Sequence, residues 1–303
     1  MENIVITSGD RYIDIDAYAS ALAYRELLVA KGLPALAVSS APLNESIPEM
    51  IKKIPLGFDS YTASQNDKFI IVDTSDPTSF DRIVNHKNIV EVIDHHTGYE
   101  KFWRERPNVK SQIEPIGSIA TIIYERFAKE NLERLLSVDL CKALVCAVVD
   151  NTLNLKANIT TARDITAYKE LLKLGGLDEN FIRHYFETCE KAILSNLASA
   201  IKNDTKTMAN ENLPKSFAQL TIYNHEKVLS QMRDLETAFP HDDWLINLIS
   251  LKDGKSYIIA KSNKAKSKLE KLFTKKFDSA ILTLDKFLLR KEIIALALQG
   301  KLH

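Results

Sequence analysis

Two short apolar runs, KFIIVD at 68–73 and IVEVID at 89–94, each end in an aspartate, and this pattern restricts the fold more than any other feature. In the first half of the chain, strand-like and helical patterns alternate: NIVIT at 3–7, a helix at 17–31, LPALAV at 33–38, and further helices at 116–128 and 138–149. Such alternation predicts a parallel sheet wrapped by helices. Ligands gather at the carboxyl ends of parallel strands. The first half is therefore predicted to be an α/β domain with acidic residues at that edge.

The second half of the chain has a different pattern. A long helical stretch at 180–202 is followed by strand-like runs and a helix: FAQLTIY at 217–223, WLINLISL at 244–251, KSYIIA at 255–260, and the helix at 264–272. We predict a smaller, mixed α/β domain here. Since 303 residues suffice for two domains, we place them at 1–189 and 190–303. Residues 40–65 and 97–112 predict only loops and short helices.

Composition excludes several functional classes. Lysines plus arginines number 40, as do aspartates plus glutamates, so no global charge favours nucleic acid or an anionic membrane. The cysteines at 141, 146 and 189 have no CxxC spacing, which suits a reducing compartment and buried apolar packing. No apolar run reaches the ~20 residues of a membrane span, and no signal-peptide pattern is present. We expect a cytoplasmic protein without membrane or clear nucleic-acid partners.

Acidic residues crowd the turn SGDRYIDIDAYASA at 8–21, which contains Asp10, Asp14 and Asp16. Asp73 and Asp150 end apolar runs and would join them at the same edge. Like charges in a dry site raise pKa values and destabilise the fold. Divalent cations relieve this repulsion: mixed carboxylate and imidazole ligands suit Mn²⁺, Co²⁺ or Zn²⁺, and oxygen-richer ligands suit Mg²⁺. Two such ions about 3.5–4 Å apart would supply a hydroxide for phosphoryl transfer.

The triplet Asp94-His95-His96 adds imidazoles to this edge. Adjacent histidines after a strand point in different directions, so one can face a metal while the other faces a substrate. The pair by itself is equally consistent with a polar loop.

These motifs together resemble the DHH phosphoesterase family, which is defined by a triplet like Asp94-His95-His96 and three other acidic motifs. The three matching segments are IDID at 13–16, VDTSDP at 72–77 and VVDNTLNLKANITTARD at 148–164, and EPIGSIATII at 114–123 resembles the family's segment just after the triplet. The second half resembles, more loosely, the DHHA2 accessory domain. NDTKTM at 203–208 stands where that domain has a phosphate-binding lysine, and LLRKE at 288–292 where it has an Arg-Lys pair.

The resemblance implies a phosphoanhydride hydrolase with its active site in the cleft between the two domains. The subgroup contains manganese-dependent inorganic pyrophosphatases, exopolyphosphatases and prune-type proteins, which implies two divalent ions, Mn²⁺ or Mg²⁺ with Co²⁺ as a further candidate. The positions matched to metal ligands are Asp14, Asp16, Asp73, His95 and Asp150. The positions matched to catalytic or substrate-binding roles are Asp94, His96, Lys206, Arg290 and Lys291. The three basic residues are also consistent with a solvated surface.

Two positions depart from the pyrophosphatase pattern. Asp10 stands where those enzymes have a metal-ligating histidine. If Asp10 is a metal ligand, its carboxylate would shift the preference of the site toward Mg²⁺, or toward Mn²⁺ bound mostly by oxygen ligands. The alternative is that Asp10 only caps the turn and binds no metal. LLRKEIIALAL lacks the usual serine before the Arg-Lys pair and the proline after it, so the clamp would be angled differently or hold a longer substrate.

Three functions therefore stay open. The first is hydrolysis of pyrophosphate or short-chain polyphosphate. The second is a nucleotide or oligonucleotide phosphoesterase, although the glycine-rich run typical of those enzymes is missing. The third is a degenerate, non-catalytic binder of phosphate compounds or of a protein partner. Pairing of two copies through a sheet edge is a further expectation taken from relatives.

Overall fold

One helix, Glu179–Ser195, carries the chain from a first structural unit into a second, and the division falls between Tyr185 and Phe186. The computed structural model describes residues 3–299, without the side chains of residues 232–234 and 299. The predicted boundary between 189 and 190 lies within the same helix. The role assigned to each domain stays a prediction.

The first unit is built on a five-stranded sheet in which all neighbouring strands are parallel. Its strands are β1 (Ile4–Thr7), β2 (Ala35–Ala37), β3 (Lys68–Val72), β4 (Ile89–Asp94) and β5 (Lys110–Ile113). They lie in the order β2-β1-β3-β4-β5. Successive residues Val5 and Ile6 are both completely buried, so both faces of the sheet are covered, as expected for a parallel sheet.

Seven α-helices accompany this sheet among the described residues, and several begin at a side chain that caps them. They are α1 (Ile15–Ala30), α2 (Glu49–Lys52), α3 (Glu100–Arg104), α4 (Ile119–Lys129), α5 (Val138–Asn151), α6 (Ala162–Gly175) and α7 (Glu179–Ser195). The hydroxyl of Ser118 accepts a hydrogen bond from the Ala120 N–H and so fixes the start of α4. This cap lies two residues after the predicted start of that helix at 116.

The second unit has a five-stranded mixed sheet. Its strands are β6 (Lys206–Thr207), β7 (Ser216–Ile222), β8 (Trp244–Ser250), β9 (Lys255–Ala260) and β10 (Ile281–Leu284). The order is β10-β9-β8-β7-β6, and only β7 and β8 are parallel. Its helices are α8 (Leu197–Asp204), α9 (His225–Leu229), α10 (Met232–Thr237), α11 (Asn263–Phe273) and α12 (Arg290–Gln299).

The predicted fold class, a parallel α/β unit followed by a mixed α/β unit, is confirmed. Two local predictions are wrong. The stretch 180–202 is two helices, because Asn196 interrupts it and its side chain caps α8 through the Ser199 N–H. Residues 110–112, predicted to lie in loops or short helices, belong to edge strand β5, whose KSQI sequence lacks the apolar run of a central strand. All three cysteines are buried, as expected.

Across residues 3–299, no helix combines the length and the apolar character needed to cross a membrane.

Candidate metal centre

The carboxyl ends of β3 and β4 lie side by side, because these strands are parallel neighbours in the sheet. Asp73 follows the last residue of β3, and Asp94 is the last residue of β4. The loop after β1 leads to Asp14, which caps α1 by accepting the Ala17 N–H at 3.0 Å. The sheet topology thus brings the ends of these acidic motifs to one edge, as the sequence predicts.

Asp73 is held in an unusual backbone conformation. Its φ is +62°, in the left-handed region that few residues other than glycine adopt. Its Oδ1 is buried without a hydrogen-bond partner among the described residues. Burial, followed by the charges of Asp14 and Asp16, raises the pKa of Asp73 well above its usual value. A strained backbone that aims an unpaired carboxylate oxygen into the protein is typical of a functional site.

His95 supplies a nitrogen to that oxygen. Its side chain is mostly buried, and its Nε2 lies 3.3 Å from Asp73 Oδ1. Its Nδ1 lies 3.0 Å from the backbone carbonyl oxygen of Ile116, so Nδ1 carries the proton and donates it. The Nε2 lone pair is then left for a cation. A ring nitrogen fixed by a backbone carbonyl is the usual support for a metal-ligating histidine.

His96 and Asp94 form a second, more open part of the site. Asp94 Oδ1 accepts the backbone N–H groups of His95 and His96 and lies 2.9 Å from His96 Nδ1. Burial opposes the charge of Asp94, but its bonds with His96 keep its pKa below the usual value. The Asp94 side chain is fully buried, whereas that of His96 is 65% exposed. Asp73, His95 and His96 together offer ligand atoms that all lie within 4.8 Å of one another.

Asp150, near the end of α5, completes the acidic part of this edge. Tyr185 donates its hydroxyl to Asp150 Oδ1 at 3.0 Å. Burial raises the pKa of Asp150 to about 7 against the effect of that hydrogen bond, and the charges of Asp14 and Asp16 raise it further. These carboxylates are therefore close enough to repel one another. We call Asp14, Asp16, Asp73, Asp94, His95, His96 and Asp150 the strand-end cluster.

The carboxylate of Asp16 accepts several hydrogen bonds from the protein. It is fully buried, and its carboxylate accepts the Ser118 hydroxyl at 2.8 Å and the N–H groups of Ile119 and Ala120 at 3.0 Å. These donors belong to the start of α4, so Asp16 caps that helix from outside. Burial raises the pKa of Asp16 to about 6, although the charge of His95 lowers it. Its metal role stays a prediction, since the two oxygens have four lone-pair sites in all.

Asp164 is a residue that we did not single out from the sequence. It is fully buried and accepts the N–H groups of Gly117 at 3.0 Å and Ser118 at 3.3 Å, as well as the Thr121 hydroxyl at 2.7 Å. A Cβ at Gly117 would lie 2.7 Å from Asp164 Oδ2, so only glycine permits this approach. Asp164 therefore fixes the Ile116–Gly117 peptide group, whose carbonyl oxygen orients His95. Its signal in the sequence was the T-x-x-D capping box that opens α6.

The basic residues predicted to bind substrate lie in the second unit, with Lys206 in edge strand β6 and Arg290 and Lys291 at the start of α12. The guanidinium of Arg290 donates to the backbone oxygens of Asp204 at 2.6 Å and Phe217 at 3.0 Å, and pairs with Asp204 Oδ1 at 2.8 Å. Lys206 is paired with Phe217 in the β6–β7 ladder. Lys291 follows Arg290 in α12 and is exposed. Arg290 is therefore a fixed, mostly buried group and not a solvated arginine.

Asp10 lies in an exposed loop, where its backbone N–H donates to the Ser79 carbonyl at 2.9 Å. This bond joins the loop after β1 to the loop after β3. Whether the Asp10 carboxylate binds metal stays a prediction.

Residues 3–148 match the sequence model of the DHH family, N-terminal domain. Several relatives carry the name "probable manganese-dependent inorganic pyrophosphatase", among them the two described next. The protein of Exiguobacterium sp. strain AT1b is 25% identical over 264 residues, which cover 86% of this chain and 82% of the relative. The protein of Bacillus licheniformis is 28% identical over 178 residues, which cover 57% and 56%.

Two solved structures share the fold. A candidate family II inorganic pyrophosphatase of Methanococcus jannaschii has a TM-score of 0.63 and 22% identity, and the match covers 99% of both chains. An exopolyphosphatase-related protein of Bacteroides fragilis has a TM-score of 0.53 and 14% identity, covering 99% of this chain and 91% of that one. At these identities the likeness shows the fold.

Proposed function

The N-terminal unit of this chain belongs to the DHH family, and we propose that the protein is a metal-dependent phosphohydrolase that cleaves the phosphoanhydride bond of inorganic pyrophosphate or of a short polyphosphate. The relatives named as manganese-dependent inorganic pyrophosphatases support this reaction for the chain. The same names support Mn²⁺ as the cation.

One observation carries the proposal. The buried Oδ1 of Asp73 has no hydrogen-bond partner among the described residues and faces the Nε2 of His95 at 3.3 Å. The other ring nitrogen of His95 is committed to Ile116. An anionic oxygen and an imidazole lone pair in a mostly buried site are unfavourable together, and a divalent cation removes the conflict.

We propose two divalent ions in the strand-end cluster, Mn²⁺ in the first place, with Mg²⁺ and Co²⁺ as the alternatives. The ligands would be Asp14, Asp16, Asp73, His95 and Asp150, with Asp10 as an additional oxygen ligand. When bound, such ions supply Lewis acidity, which polarises phosphoryl oxygens and acidifies water. The hydrogen bonds described above orient the carboxylates of Asp14, Asp16 and Asp150.

His96 is suited to contact the substrate. Desolvation works against its charged form, but the hydrogen bond to Asp94 and the charge of Asp73 raise the pKa of His96 above its usual value. Its Nδ1 is turned to Asp94, so its Nε2 is left to donate a proton or a hydrogen bond to a phosphoryl oxygen. Asp94 would act by orienting this ring and by stabilising its charge.

The second unit would contribute cations for the phosphates. Arg290, already fixed by Asp204 and Phe217, would present the rest of its guanidinium, while Lys206 and Lys291 would provide point charges. Fixed cations of this kind stabilise the negative charge of a leaving phosphate. Arg290 is oriented before substrate arrives, which lowers the entropic cost of binding.

The direct test is phosphate release from pyrophosphate, tripolyphosphate and nucleotides in the presence of Mn²⁺, Mg²⁺ or Co²⁺. We expect turnover of pyrophosphate or tripolyphosphate and little of nucleotides. No turnover of any substrate with any metal would overturn the proposal and favour a non-catalytic binder. A strong preference for Co²⁺ would contradict the role of Asp10 as an oxygen ligand, since an added carboxylate favours harder ions.

A second test concerns the basic residues. Arg290→Ala should raise KM or lower kcat strongly, whereas Lys252→Ala, an exposed lysine of the same unit, should change neither. Because Arg290 also supports its own unit, Arg290→Lys serves as the milder variant, with circular dichroism as the check of folding. Wild-type kinetics in both Arg290 variants would remove this residue from the site.

A further inference from the structure

The positive charge of the second unit is concentrated in one segment. Residues 261–276 contain seven lysines, one glutamate and no other charged residue. From 186 to 303 the sequence has 19 lysines and arginines against 14 aspartates and glutamates, and without this segment the numbers are 12 and 13. The rest of the unit is therefore almost neutral, and the excess is local.

Most of this segment is α11, which places its lysines in order. Ser262 caps the helix by accepting the Ala265 N–H at 3.1 Å, and Ala265 and Leu269 are fully buried against the core. Lys264, Lys268 and Lys271 follow one another at i, i+4 and i+7 and so share one face; we call them the lysine strip. Neighbouring members are about 5–6 Å apart at Cβ, and the strip is about 10 Å long.

The lysine strip lacks the acidic partners that its neighbours have. Those neighbours form ion pairs: Lys261 with Glu236, Lys275 with Asp285, and Lys276 with Glu270. Within the described part of the chain, Lys264 and Lys271 have no carboxylate at ion-pair distance, and Lys268 donates to the uncharged carbonyl of Leu213. Like charges at this helical spacing repel one another. The strip therefore carries uncompensated positive charge, which an anion from outside the chain would offset.

Space for such a partner lies next to the strip. A cavity of about 300 Å³ is lined by Lys268 and Lys271, with Ser267 and Asn212 as further hydrogen-bonding groups. Glu211 also lines it, so the cavity is not uniformly positive. An extended anion is favoured over a compact one, because the exposed ammonium groups continue along the helix beyond the cavity.

We propose that the lysine strip is a binding surface for linear inorganic polyphosphate, outside the residues that contact the bond being hydrolysed. The choice of polyphosphate as the ligand rests on the proposed function. The inference that the strip binds an extended anion rests on its charge alone. All seven cations are lysines, which act on phosphates as point charges; arginine would add the planar, stacking recognition of nucleotides. Leu272 and Phe273 pack against the core of the unit, so α11 offers neither a stacking platform nor an apolar face for a bilayer.

The experiment measures binding without hydrolysis. The full chain, kept metal-free with a chelator, is titrated against labelled long-chain polyphosphate at several salt concentrations. Tripolyphosphate, single-stranded DNA and anionic phosphatidylserine vesicles serve as comparison ligands. The test variant is Lys264→Ala/Lys268→Ala/Lys271→Ala. The control is Lys252→Ala/Lys255→Ala/Lys286→Ala, which removes the same charge from the same unit outside the segment.

We expect the test variant to lose affinity for long-chain polyphosphate about tenfold or more, and its salt slope, log K against log[salt], to fall by about 2, as for three lost phosphate contacts on a flexible chain. The control should bind as the wild type does. Tripolyphosphate binding and pyrophosphate hydrolysis should be unchanged in both. The double variant Lys264→Ala/Lys271→Ala, which keeps the Lys268 hydrogen bond, should show a smaller loss in the same direction and guards against misfolding.

The inference is overturned if the test variant binds polyphosphate like the wild type, or if the control loses as much affinity. Equal or tighter binding of DNA or vesicles by the wild type would also overturn it, in favour of a different polyanion. If the wild type hydrolysed none of the substrates but bound polyphosphate, and the test variant lost that binding, the proposed function would be refuted and the binding surface would stand. If the wild type hydrolysed pyrophosphate but did not bind polyphosphate, the binding surface would be refuted and the proposed function would stand.

Discussion

The strand-end cluster and the lysine strip both gather like charges, but they do so in different surroundings. The carboxylates of Asp16 and Asp73 are buried, so desolvation, together with repulsion from neighbouring carboxylates, raises their pKa values, and one oxygen of Asp73 has no hydrogen-bond partner among the described residues. The ammonium groups of Lys264 and Lys271 are exposed, and solvent screens them. A buried cluster therefore requires a counter-ion of defined size and geometry, whereas an exposed strip requires only an extended, loosely held anion.

Removing one carboxylate from the buried cluster should produce the largest effect. We expect Asp73→Asn, which can keep the left-handed backbone, to lose Mn²⁺ binding and to lower kcat/KM by more than about 100-fold, the upper range for outer partners of a ligand. The metal-free protein should become more stable, by about 1 kcal/mol, because a repelled buried charge is gone. Phosphate release, metal content and urea unfolding with chelator measure these quantities.

Asp76→Asn, in the same loop, is the matched control and should keep its metal. If Asp73→Asn retained activity, or if its metal-free form were less stable than the wild type, the interpretation of the cluster as a site strained for a cation would be wrong.

A weaker effect should come from the support of the cluster. Asp164→Asn removes a charge that fixes the start of α4 and, through the Ile116 carbonyl, the ring of His95. We expect Mn²⁺ affinity to fall about 10–100-fold, as is usual for outer partners of a metal ligand. Calorimetric titration with Mn²⁺ measures it, and ¹⁵N NMR of the imidazole shows whether Nδ1 still holds the proton.

Asp139→Asn provides the comparison, because Asp139 lies on α5 with a partly exposed side chain that pairs with Lys142. Equal losses in the two variants would mean that the position of the charge is irrelevant. An unchanged His95 tautomer combined with unchanged affinity would show that Asp164 is purely structural.

The stability of the protein should depend on pH differently with and without a cation in the buried cluster. The pKa values of Asp16 and Asp150 are raised from 3.8 to about 6 and about 7 in the fold, so the native state holds protons that the unfolded chain releases above pH 4. The metal-free protein should therefore be most stable near the acidic end and lose roughly a few kcal/mol as pH rises to about 7. Thermal unfolding from pH 5 to 8 with chelator measures this.

With Mn²⁺ the trend should reverse, since ligands must lose their protons to bind a cation. Asp150→Asn should flatten the metal-free curve without abolishing it. A metal-free stability that rises with pH across the same window would contradict the raised pKa values.

The smallest effect is expected at the lysine strip. Lys264→Glu places an acid four residues before Lys268 and in the first turn of α11, where both the i,i+4 pairing and the helix dipole favour it. The free energy of unfolding should rise by a few tenths of a kcal/mol, about 0.5 at low salt, and the gain should shrink at high salt. Lys252→Glu, outside any helix, should give no such gain. A destabilised Lys264→Glu would mean that the strip is not under repulsion.

The sequence predicted the cluster better than its support. Asp73 and Asp94 could be found because apolar runs ending in aspartate mark strand ends in a parallel sheet, and the sheet then brings them together. The capping role of Asp16 could not be found, because its donors lie more than 100 residues away, at the start of α4. The same holds for Arg290, whose ion pair with Asp204 spans 86 residues.

The errors in secondary structure have physical reasons as well. Strand β5 is an edge strand with partly exposed residues, so it lacks the apolar pattern that identifies central strands. The break at Asn196 is a capping event inside a continuous helical periodicity, and periodicity alone does not register it. Asp164 was missed because its T-x-x-D signal is a common, local capping motif. The sequence does not show that its buried carboxylate also accepts hydrogen bonds from the start of α4.

The left-handed backbone at position 73 restricts which substitutions this position can accept during evolution. Glycine, asparagine and aspartate are the residues that tolerate such a φ at low cost, and of these only aspartate offers an anionic oxygen. Geometry and charge thus select the residue independently. A descendant that abandoned the cation would be free of the second requirement but not the first, so its first accepted replacements at this position should be asparagine or glycine.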